Sequence, residues 1–260
     1  MSQDPSAGPP PPPPYNPYAP PSAPVGGGGG GGGVYEGGGK PPLPWDERSR
    51  LGLVDALIST IKLFVTDPRE AYSRLRSDGD YVGPMLFGGI IAWVMAIIGQ
   101  IWSLLFSGVF GGIAGLGGDV EGLGMLMGGG IAQLLLMAVL MPFIYVIGVF
   151  ISAGLYHLGL MIVGGLQNSQ AGFEGTFRIV SYSYVGQLAQ IVPILGTIVA
   201  LIWQIVLIVF GHQEHHGVPQ GKAVLAALLP LVLCCLCVAV LVIGAGMMGA
   251  GLAGLAGAGG

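Results

Sequence analysis

The sequence predicts an all-α integral membrane protein with five transmembrane helices, preceded by two amphipathic helices and a disordered arm rich in proline and glycine. Two properties of composition support this: 52% of the 260 residues are hydrophobic and 8% are charged, whereas about 25% of the residues of a soluble domain are charged. The third observation is the length of the uncharged stretches, since about 20 helical residues cross a hydrocarbon core of about 30 Å. We therefore expect a lipid bilayer to surround most of the chain.

Residues 1–44 form the polar arm. Six prolines, Pro9–Pro14, favour an extended polyproline II conformation, and eight glycines, Gly26–Gly33, favour flexible coil. Because neither composition buries a core, the arm is predicted to be disordered. We interpret it as a low-complexity tether, with a ligand for an SH3-like or WW-like domain as the alternative. We expect no signal peptide, because no suitable apolar stretch follows Met1.

Residues 45–82 are predicted to be a cytoplasmic or interfacial segment of two amphipathic helices. Thr66-Asp67-Pro68 ends the first helix and begins the second, because Thr or Asp caps free amides and proline suits the first helical position. The second helix should bury Ala71, Tyr72 and Leu75. The apolar residues of the first helix recur at three- and four-residue spacing; they are Val54, Leu57, Ile58, Ile61 and Val65.

Such helices before a membrane span are expected to lie in the headgroup layer, with Trp45 and Tyr81 as interfacial anchors. The alternative is that both helices pack on the membrane bundle without touching lipid.

Residues 83–243 are predicted to contain the five spans, and Pro84–Phe106 is the first. The next two uncharged runs each allow one long span or two short ones. Basic residues are retained on the cytoplasmic side of membranes, and seven of the nine lie before residue 82. All nine fall inside if Gly130–Val163 is one span and Ile179–Gly211 is a hairpin. The amino terminus is then cytoplasmic.

Three further features complete the predicted topology. Pro193-Ile194-Leu195-Gly196 lies in the middle of the third run and is a turn signal. Asp119 and Glu121 belong to the first outer loop. The fifth span is Ala223–Ile243, which leaves the Gly- and Ala-rich tail, residues 244–260, outside.

The order of these parts resembles the Yip family, the Ypt/Rab-interacting membrane proteins, and we expect a bacterial member. The motifs that carry the resemblance are Thr66-Asp67-Pro68, Gly164-Gly165, Phe177-Arg178 with Tyr182, Pro193 to Gly196, and His216-Gly217. The resemblance implies a non-enzymatic membrane protein, linked in eukaryotes to vesicle trafficking and small GTPases. A bacterial chain would lie in the inner membrane, and a eukaryotic one in the Golgi or endoplasmic reticulum.

The candidate interaction motif lies where the first span begins and consists of Asp80, Tyr81, Gly83 and Pro84. It is similar to the Asp-Leu-Tyr-Gly-Pro motif of eukaryotic members, with the tyrosine one place earlier. Gly83-Pro84 fixes the backbone direction at the helix start, and Asp80 is expected to interact with the free amides there. We predict that the motif shapes a docking surface.

No catalytic, cofactor-binding or metal-binding residues are predicted. His212, His215 and His216 share a helix face but match neither zinc motif of the His-Glu-x-x-His type, so we expect a solvated inner loop. The sequence lacks the Gly-x-Ser-x-Gly motif and paired intramembrane aspartates of membrane hydrolases.

Two functions remain open. The first is a membrane-organising or adaptor protein that binds other membrane proteins or itself, and binds no nucleic acid. The alternative is a small-solute or ion transporter, for which His157 is the ionisable residue nearest mid-span. Glutamines inside the spans, Gln187 and Gln190 among them, are expected to join helices by hydrogen bonds. The cysteines Cys234, Cys235 and Cys237 are expected to pack as small apolar residues.

Overall fold

The computed structural model describes residues 40–76, 80–115, 120–167, 169 and 171–258, and the regular structure within these ranges is helical. Asp119 and the last two residues of the tail lie outside them. The helices in chain order are α1 (Arg48–Leu51), α2 (Leu53–Thr66), α3 (Pro68–Ser73), α4 (Val82–Gly115), α5 (Val120–Ile162), α6 (Gly172–Ser183), a 3₁₀ helix (Tyr184–Ile191), α7 (Leu195–His216) and α8 (Gln220–Ala258).

Four helices are long and apolar enough to cross a membrane, counting the described residues. They contain four of the five predicted spans, and α5 is one continuous helix, as predicted for the second uncharged run. Helix α8 continues through Ala258, well into the predicted tail. The four membrane-crossing segments are Val82–Phe106, Ala132–Ile162, Leu195–His216 and Gln220–Gly244.

The predicted third span is helical but divided. Helix α6 has 12 residues and the 3₁₀ helix that follows directly has 8. All nine residues of Gly175–Ser183 are buried, because α6 packs against α4, α5 and α7. Arg178, expected in an inner loop, instead lies inside α6 with 1% of its surface exposed and forms an ion pair with Glu174. The most buried helix of the bundle is therefore also a polar one.

Long-range contacts bring several helix ends together at one end of the bundle, which we call the charged end. The ring of Tyr81, just before α4, packs against Phe177 of α6 at 5.1 Å between centroids. At the same end, Lys222 Nζ of α8 donates to the carbonyl oxygen of Gly164, just after α5, at 3.1 Å. The charged end thus contains the starts of α4, α6 and α8 and the end of α5.

The predicted turn at Pro193–Gly196 separates the 3₁₀ helix from α7. Ile194 takes a positive φ of 65° there. A Cβ atom on Gly196 would lie 2.0 Å from the carbonyl oxygen of Ala189, so only glycine allows the two helices to approach this closely. Since α7 has 22 residues, this turn lies about 33 Å along the helix from His216.

Helices α2 and α3 pack on the bundle. Asp67 accepts a hydrogen bond from the Glu70 N–H at 3.1 Å, which confirms the predicted cap. Ala71, Tyr72 and Leu75 are buried, as predicted. Phe64 of α2 is also buried, and its ring stacks on that of Tyr182 at 5.2 Å. The other apolar face of α2 stays exposed; its residues are Leu53, Val54, Ile58 and Val65.

Two predicted placements are wrong. Trp45 is fully buried rather than an interfacial anchor, because its indole finds both an apolar neighbour and a hydrogen-bond acceptor inside the chain. Leu43, in the predicted disordered arm, is fully buried as well. The three cysteines are exposed on α8, because the bundle covers mainly the first part of that helix.

Candidate functional site

The junction motif, our name for residues 80–84, caps the start of α4. Asp80 Oδ1 accepts hydrogen bonds from the N–H groups of Val82 and Gly83 at 2.9 and 3.2 Å. These amides have no partner within the helix, and a carboxylate interacts favourably with the positive end of the helix dipole. Asp80 itself is exposed. The predicted contact between Asp80 and the helix start is therefore present, with the carboxylate accessible from outside.

Gly83 and Pro84 are buried, and Trp45 covers Gly83. The indole Nε1–H of Trp45 donates to the carbonyl oxygen of Gly83 at 2.7 Å, and the indole meets the ring of Phe87 edge-on at 5.5 Å. The backbone N–H of Trp45 donates to Thr60 Oγ1 of α2 at 2.9 Å. Trp45 thus joins α2 to the mouth of α4.

Gly83 has little room for a side chain. A Cβ atom there would lie 2.6 Å from Asp80 Oδ2. Arg48 lies nearby: its Nη1 donates to the carbonyl oxygen of Trp45 at 3.1 Å, and its guanidinium lies 5.3 Å from the centroid of the Trp45 ring. Such a cation over an aromatic face is attracted by the ring quadrupole. Arg48 and Trp45, which lie beside the cap at the start of α4, therefore hold each other in place.

Tyr81 faces the bundle. Its ring contacts Phe150 of α5 at 6.2 Å and Phe177 of α6 at 5.1 Å. Of the four predicted motif residues, the structure leaves Asp80 exposed and Tyr81 half-buried, and it buries Gly83 and Pro84.

A second polar site gathers all four histidines of the chain. Thr176 of α6 stands at its centre, with Oγ1 3.0 Å from His157 Nδ1 of α5 and 3.0 Å from His216 Nε2 of α7. His216 Nδ1 lies 2.7 Å from Ser169 Oγ. Each imidazole offers one donor and one acceptor when neutral, so these groups form a continuous hydrogen-bonded chain.

The prediction that the histidines of residues 212–216 lie in a solvated loop is wrong. His212, His215 and His216 belong to the end of α7, which continues until Gly217 adopts a left-handed φ of 67° and donates its N–H to the carbonyl of His212. His212 is fully buried and His216 is 3% exposed. Close packing of α6 causes this burial.

Two glycines permit that close packing. A Cβ atom on Gly211 would lie 2.4 Å from Ile179 Cγ2, and one on Gly175 would lie 2.9 Å from His215 Cδ2. Within the described residues, no group of three or more His, Cys, Asp or Glu side chains is placed to hold a metal ion.

Arg69 connects α3 to the last turns of α7, on the face of that helix opposite to the histidines. Its Nη1 contacts Glu214 Oε1 at 2.8 Å, its Nη2 donates to Gln213 Oε1 at 3.0 Å, and its guanidinium lies 4.8 Å from the centroid of Phe210. The end of α7 therefore touches the histidine cluster on one side and α3 on the other.

The predicted hydrogen bonds between glutamines join the 3₁₀ helix to α7. Gln187 Nε2 donates to Gln204 Oε1 at 2.8 Å, and Gln190 donates to Gln187. Spacing alone indicated that these side chains share a face; the partner on α7 is set by tertiary contact.

Sequence reasoning missed Trp45, Thr60, Arg69 and Thr176 as members of these sites. For Arg69 and Thr176 the local sequence held no signal, because their partners lie 40 or more residues away on α7. For Trp45, one signal was present: a lone tryptophan between prolines and charges needs burial or an interface.

One protein-family model matches most of the chain. The Yip1 domain model matches residues 61–242 of 260. That range includes α3 to α7, the last six residues of α2 and the first 23 residues of α8. No curated protein and no solved structure matches the chain.

Proposed function

Since this chain belongs to the Yip1 domain family, we propose that it is a non-enzymatic, multi-pass membrane protein that acts as an adaptor or organising protein. A partner membrane protein, or a second copy, docks at the junction motif on the charged end of the bundle. The resemblance noted above links eukaryotic members to vesicle trafficking. The trafficking role is an expectation for eukaryotic relatives, and the adaptor role is the proposal for this chain.

The observation that carries the proposal is the way α2 and α3 are fastened around the junction motif. Trp45 ties α2 to Gly83, and Arg69 ties α3 to the end of α7. Rigid elements hold a docking surface more accurately than free loops do. The exposed Asp80 carboxylate then stands at the centre of a fixed surface, where a partner's basic or amide group can reach it.

We further propose that the chain crosses the membrane five times. The segment formed by α6 and the 3₁₀ helix contains 20 residues, which matches the length that a crossing needs. It begins at the charged end and leads to the turn at Pro193–Gly196, about 33 Å along α7 from His216. Its polar residues do not oppose this, because neighbouring helices surround it. The charged end and the amino terminus are cytoplasmic in this arrangement, which agrees with the positive-inside rule.

The exposed face of α2 suits the headgroup layer. Leu53, Val54, Ile58 and Val65 are each at least 50% exposed, beside the exposed Lys62. An apolar stripe with a neighbouring lysine is typical of helices at the boundary between headgroups and acyl chains. We propose that α2 contacts lipid with this face while its other face packs on the bundle.

Partner capture from native membranes tests the adaptor role. A photocrosslinker at position 82, beside the motif, should capture a defined partner. We expect Asp80→Ala and Gly83→Leu to lose this capture while inserting with unchanged topology. Matched controls are Asp55→Ala, an exposed acid on α2, and Gly99→Leu, at which a Cβ meets nothing within 4 Å. Undiminished capture by both motif variants contradicts the proposal.

A small-solute or ion transporter is the second candidate function. The observation in its favour is the polar chain from Ser169 through His216 and Thr176 to His157. Close contacts at Gly186 and Gly211 weigh against a solute path, because a single Cβ atom at either would meet its neighbour at 3.0 Å or less. Uptake by proteoliposomes that is lost in His157→Phe would favour the transporter over the adaptor.

A further inference from the structure

The segment before α2 is held at the junction motif like a strap; we define the strap as residues 40–47. Leu43 and Trp45 are both fully buried. At its start, Lys40 Nζ contacts Glu70 Oε2 at 3.0 Å and Ser73 Oγ at 2.8 Å, both of α3. The hydrogen bonds from Lys40 and then Arg74 hold the pKa of Glu70 below its usual value. The strap is therefore anchored on α3 at one end and in the bundle at the other.

The seat beneath Trp45 combines apolar walls with two hydrogen-bond acceptors. The ring of Phe87 forms its apolar wall, 5.5 Å from the indole, and the ring of Phe64 lies behind it at 6.4 Å from that of Phe87. All of these rings belong to the same core as Leu43. The acceptors are Thr60 Oγ1, which takes the backbone N–H of Trp45, and the carbonyl of Gly83, which takes the indole N–H. A seat of this kind fits an extended segment that presents one tryptophan and one free backbone N–H.

Gly52 can serve as a hinge about which the strap moves away from the junction motif. Gly52, which separates α1 from α2, has φ +87°, and a Cβ atom on it would meet nothing within 4 Å. Glycine has no side chain that could hold it to either helix, and it readily adopts φ > 0. Rotation about Gly52 would move the strap and α1 together while α2 stays packed on the bundle through Ala56, Thr60 and Phe64.

We propose that the strap is an autoinhibitory contact that covers the buried half of the junction motif, Gly83 and Pro84. A partner docks fully when a tryptophan-bearing extended segment of its own replaces the strap in the seat, so that the partner's tryptophan takes over the tie between Thr60 of α2 and Gly83 that Trp45 makes in the closed state. This inference rests on the proposed adaptor function and adds its regulation and the chemistry of the partner. Because docking requires a minor, open state, the apparent affinity for the partner is reduced by the fraction of open molecules.

The first experiment probes the seat without the natural partner. The probe is a fluorescent peptide with the sequence of residues 40–49, added to the full chain in nanodiscs. We expect the peptide to bind Trp45→Ala at least about tenfold more tightly than the wild type, since the substitution vacates the seat. A peptide in which tryptophan is replaced by alanine should not bind. Equal binding of the intact peptide to both proteins overturns the inference.

The second experiment locks the strap closed and leaves the core intact, so it does not depend on the folding of Trp45→Ala. Lys40→Cys and Ser73→Cys are bridged by a short bismaleimide in a chain whose three native cysteines are alanine. We expect the bridged protein to lose both peptide binding and crosslinked capture at position 82. The matched control for the bridge is the same double-cysteine protein without the reagent, which lacks the Lys40 contacts equally and should keep both activities. Ser49→Ala, on the exposed side of α1, should behave like the wild type.

The two proposals fail in different ways. If Asp80→Ala loses capture but the bridged protein captures as much as its controls, the adaptor function stands and the autoinhibitory strap is wrong. If Asp80→Ala and Gly83→Leu both keep full capture, the adaptor function is wrong, and the inference that rests on it fails as well. If the peptide binds Trp45→Ala, the bridge abolishes capture and Asp80→Ala loses it, both hold.

Discussion

Replacing Thr176 by valine removes the hydroxyl at the centre of the histidine cluster and leaves the shape of the side chain nearly unchanged. Thr176 is fully buried, and its Oγ1 lies 3.0 Å from nitrogens of both His157 and His216. His216 is 3% exposed, so its Nε2 would lose its partner away from water. His157 is half-buried, so it is less enclosed than His216 and loses an ordinary hydrogen bond.

The magnitude follows from these two losses. A buried polar group left without a partner costs about 1 to 3 kcal/mol, and the loss of an ordinary hydrogen bond costs about 0.5 to 1.5 kcal/mol. Because valine fills the same volume, no cavity is added. We expect a loss of about 2 to 4 kcal/mol in the free energy of unfolding, which corresponds to a fall of about 4 to 16 °C in Tm for a chain of this size.

Thermal unfolding in nanodiscs, followed by tryptophan fluorescence, measures this change. Thr176→Ser keeps the hydroxyl and should recover most of the lost stability. The matched control is Thr197→Val, an exposed threonine at the start of α7, which should stay within about 0.5 kcal/mol of the wild type. In a double-mutant cycle, Thr176→Val and His216→Phe should be non-additive because they remove one shared contact. A Tm for Thr176→Val equal to that of the wild type would refute the reasoning.

Three further predictions concern topology, burial and packing. Reporter fusions after Gly217 should read cytoplasmic and fusions after Gly260 external, because five crossings from a cytoplasmic amino terminus place the loop before α8 inside and the end of α8 outside; a cytoplasmic Gly260 excludes five crossings from that side. Replacing the three histidines of α7 together by glutamine should lower Tm, because two of them are buried, and a chelator should not change the Tm of the wild type; a triple variant as stable as the wild type contradicts the burial. Gly211→Ala should cost roughly 1 to 3 kcal/mol of stability and lower Tm accordingly, since the added Cβ would lie 2.4 Å from Ile179 Cγ2; Gly99→Ala is the control, and equal Tm values for the two variants would contradict the close packing of α6 on α7.

The parts of the fold that the sequence predicted are those that local chemistry sets. Asp67 both ends α2 and caps α3, since a short acid followed by proline acts within one turn of the chain. The turn at Pro193–Gly196 is equally local. The inward face of α3 was also predicted, because Ala71 and Tyr72 are the apolar residues of a charged helix.

Helix α2 shows where local pattern stops being sufficient. It is apolar on two sides, so its periodicity could not tell which side meets protein and which meets lipid. The structure buries Ala56, Thr60 and Phe64 and exposes Val54 and Ile58. The small residues at positions 56 and 60 allow close approach to the bundle, and a tertiary partner, Trp45, accounts for the burial of the Thr60 hydroxyl.

By itself, the sequence determined that this protein is helical and membrane-embedded, where its long apolar helices lie, and where caps and turns divide them. These features follow from composition and from interactions within a few residues. The apolar interior of a membrane enforces helical structure in particular, because it satisfies no backbone hydrogen bond. Only the tertiary structure decided that Trp45 covers Gly83, that Thr176 joins His157 to His216, and that α6 runs through the interior. Those contacts join residues 19 to 40 positions apart, and helix packing rather than local propensity selects which polar side chains meet.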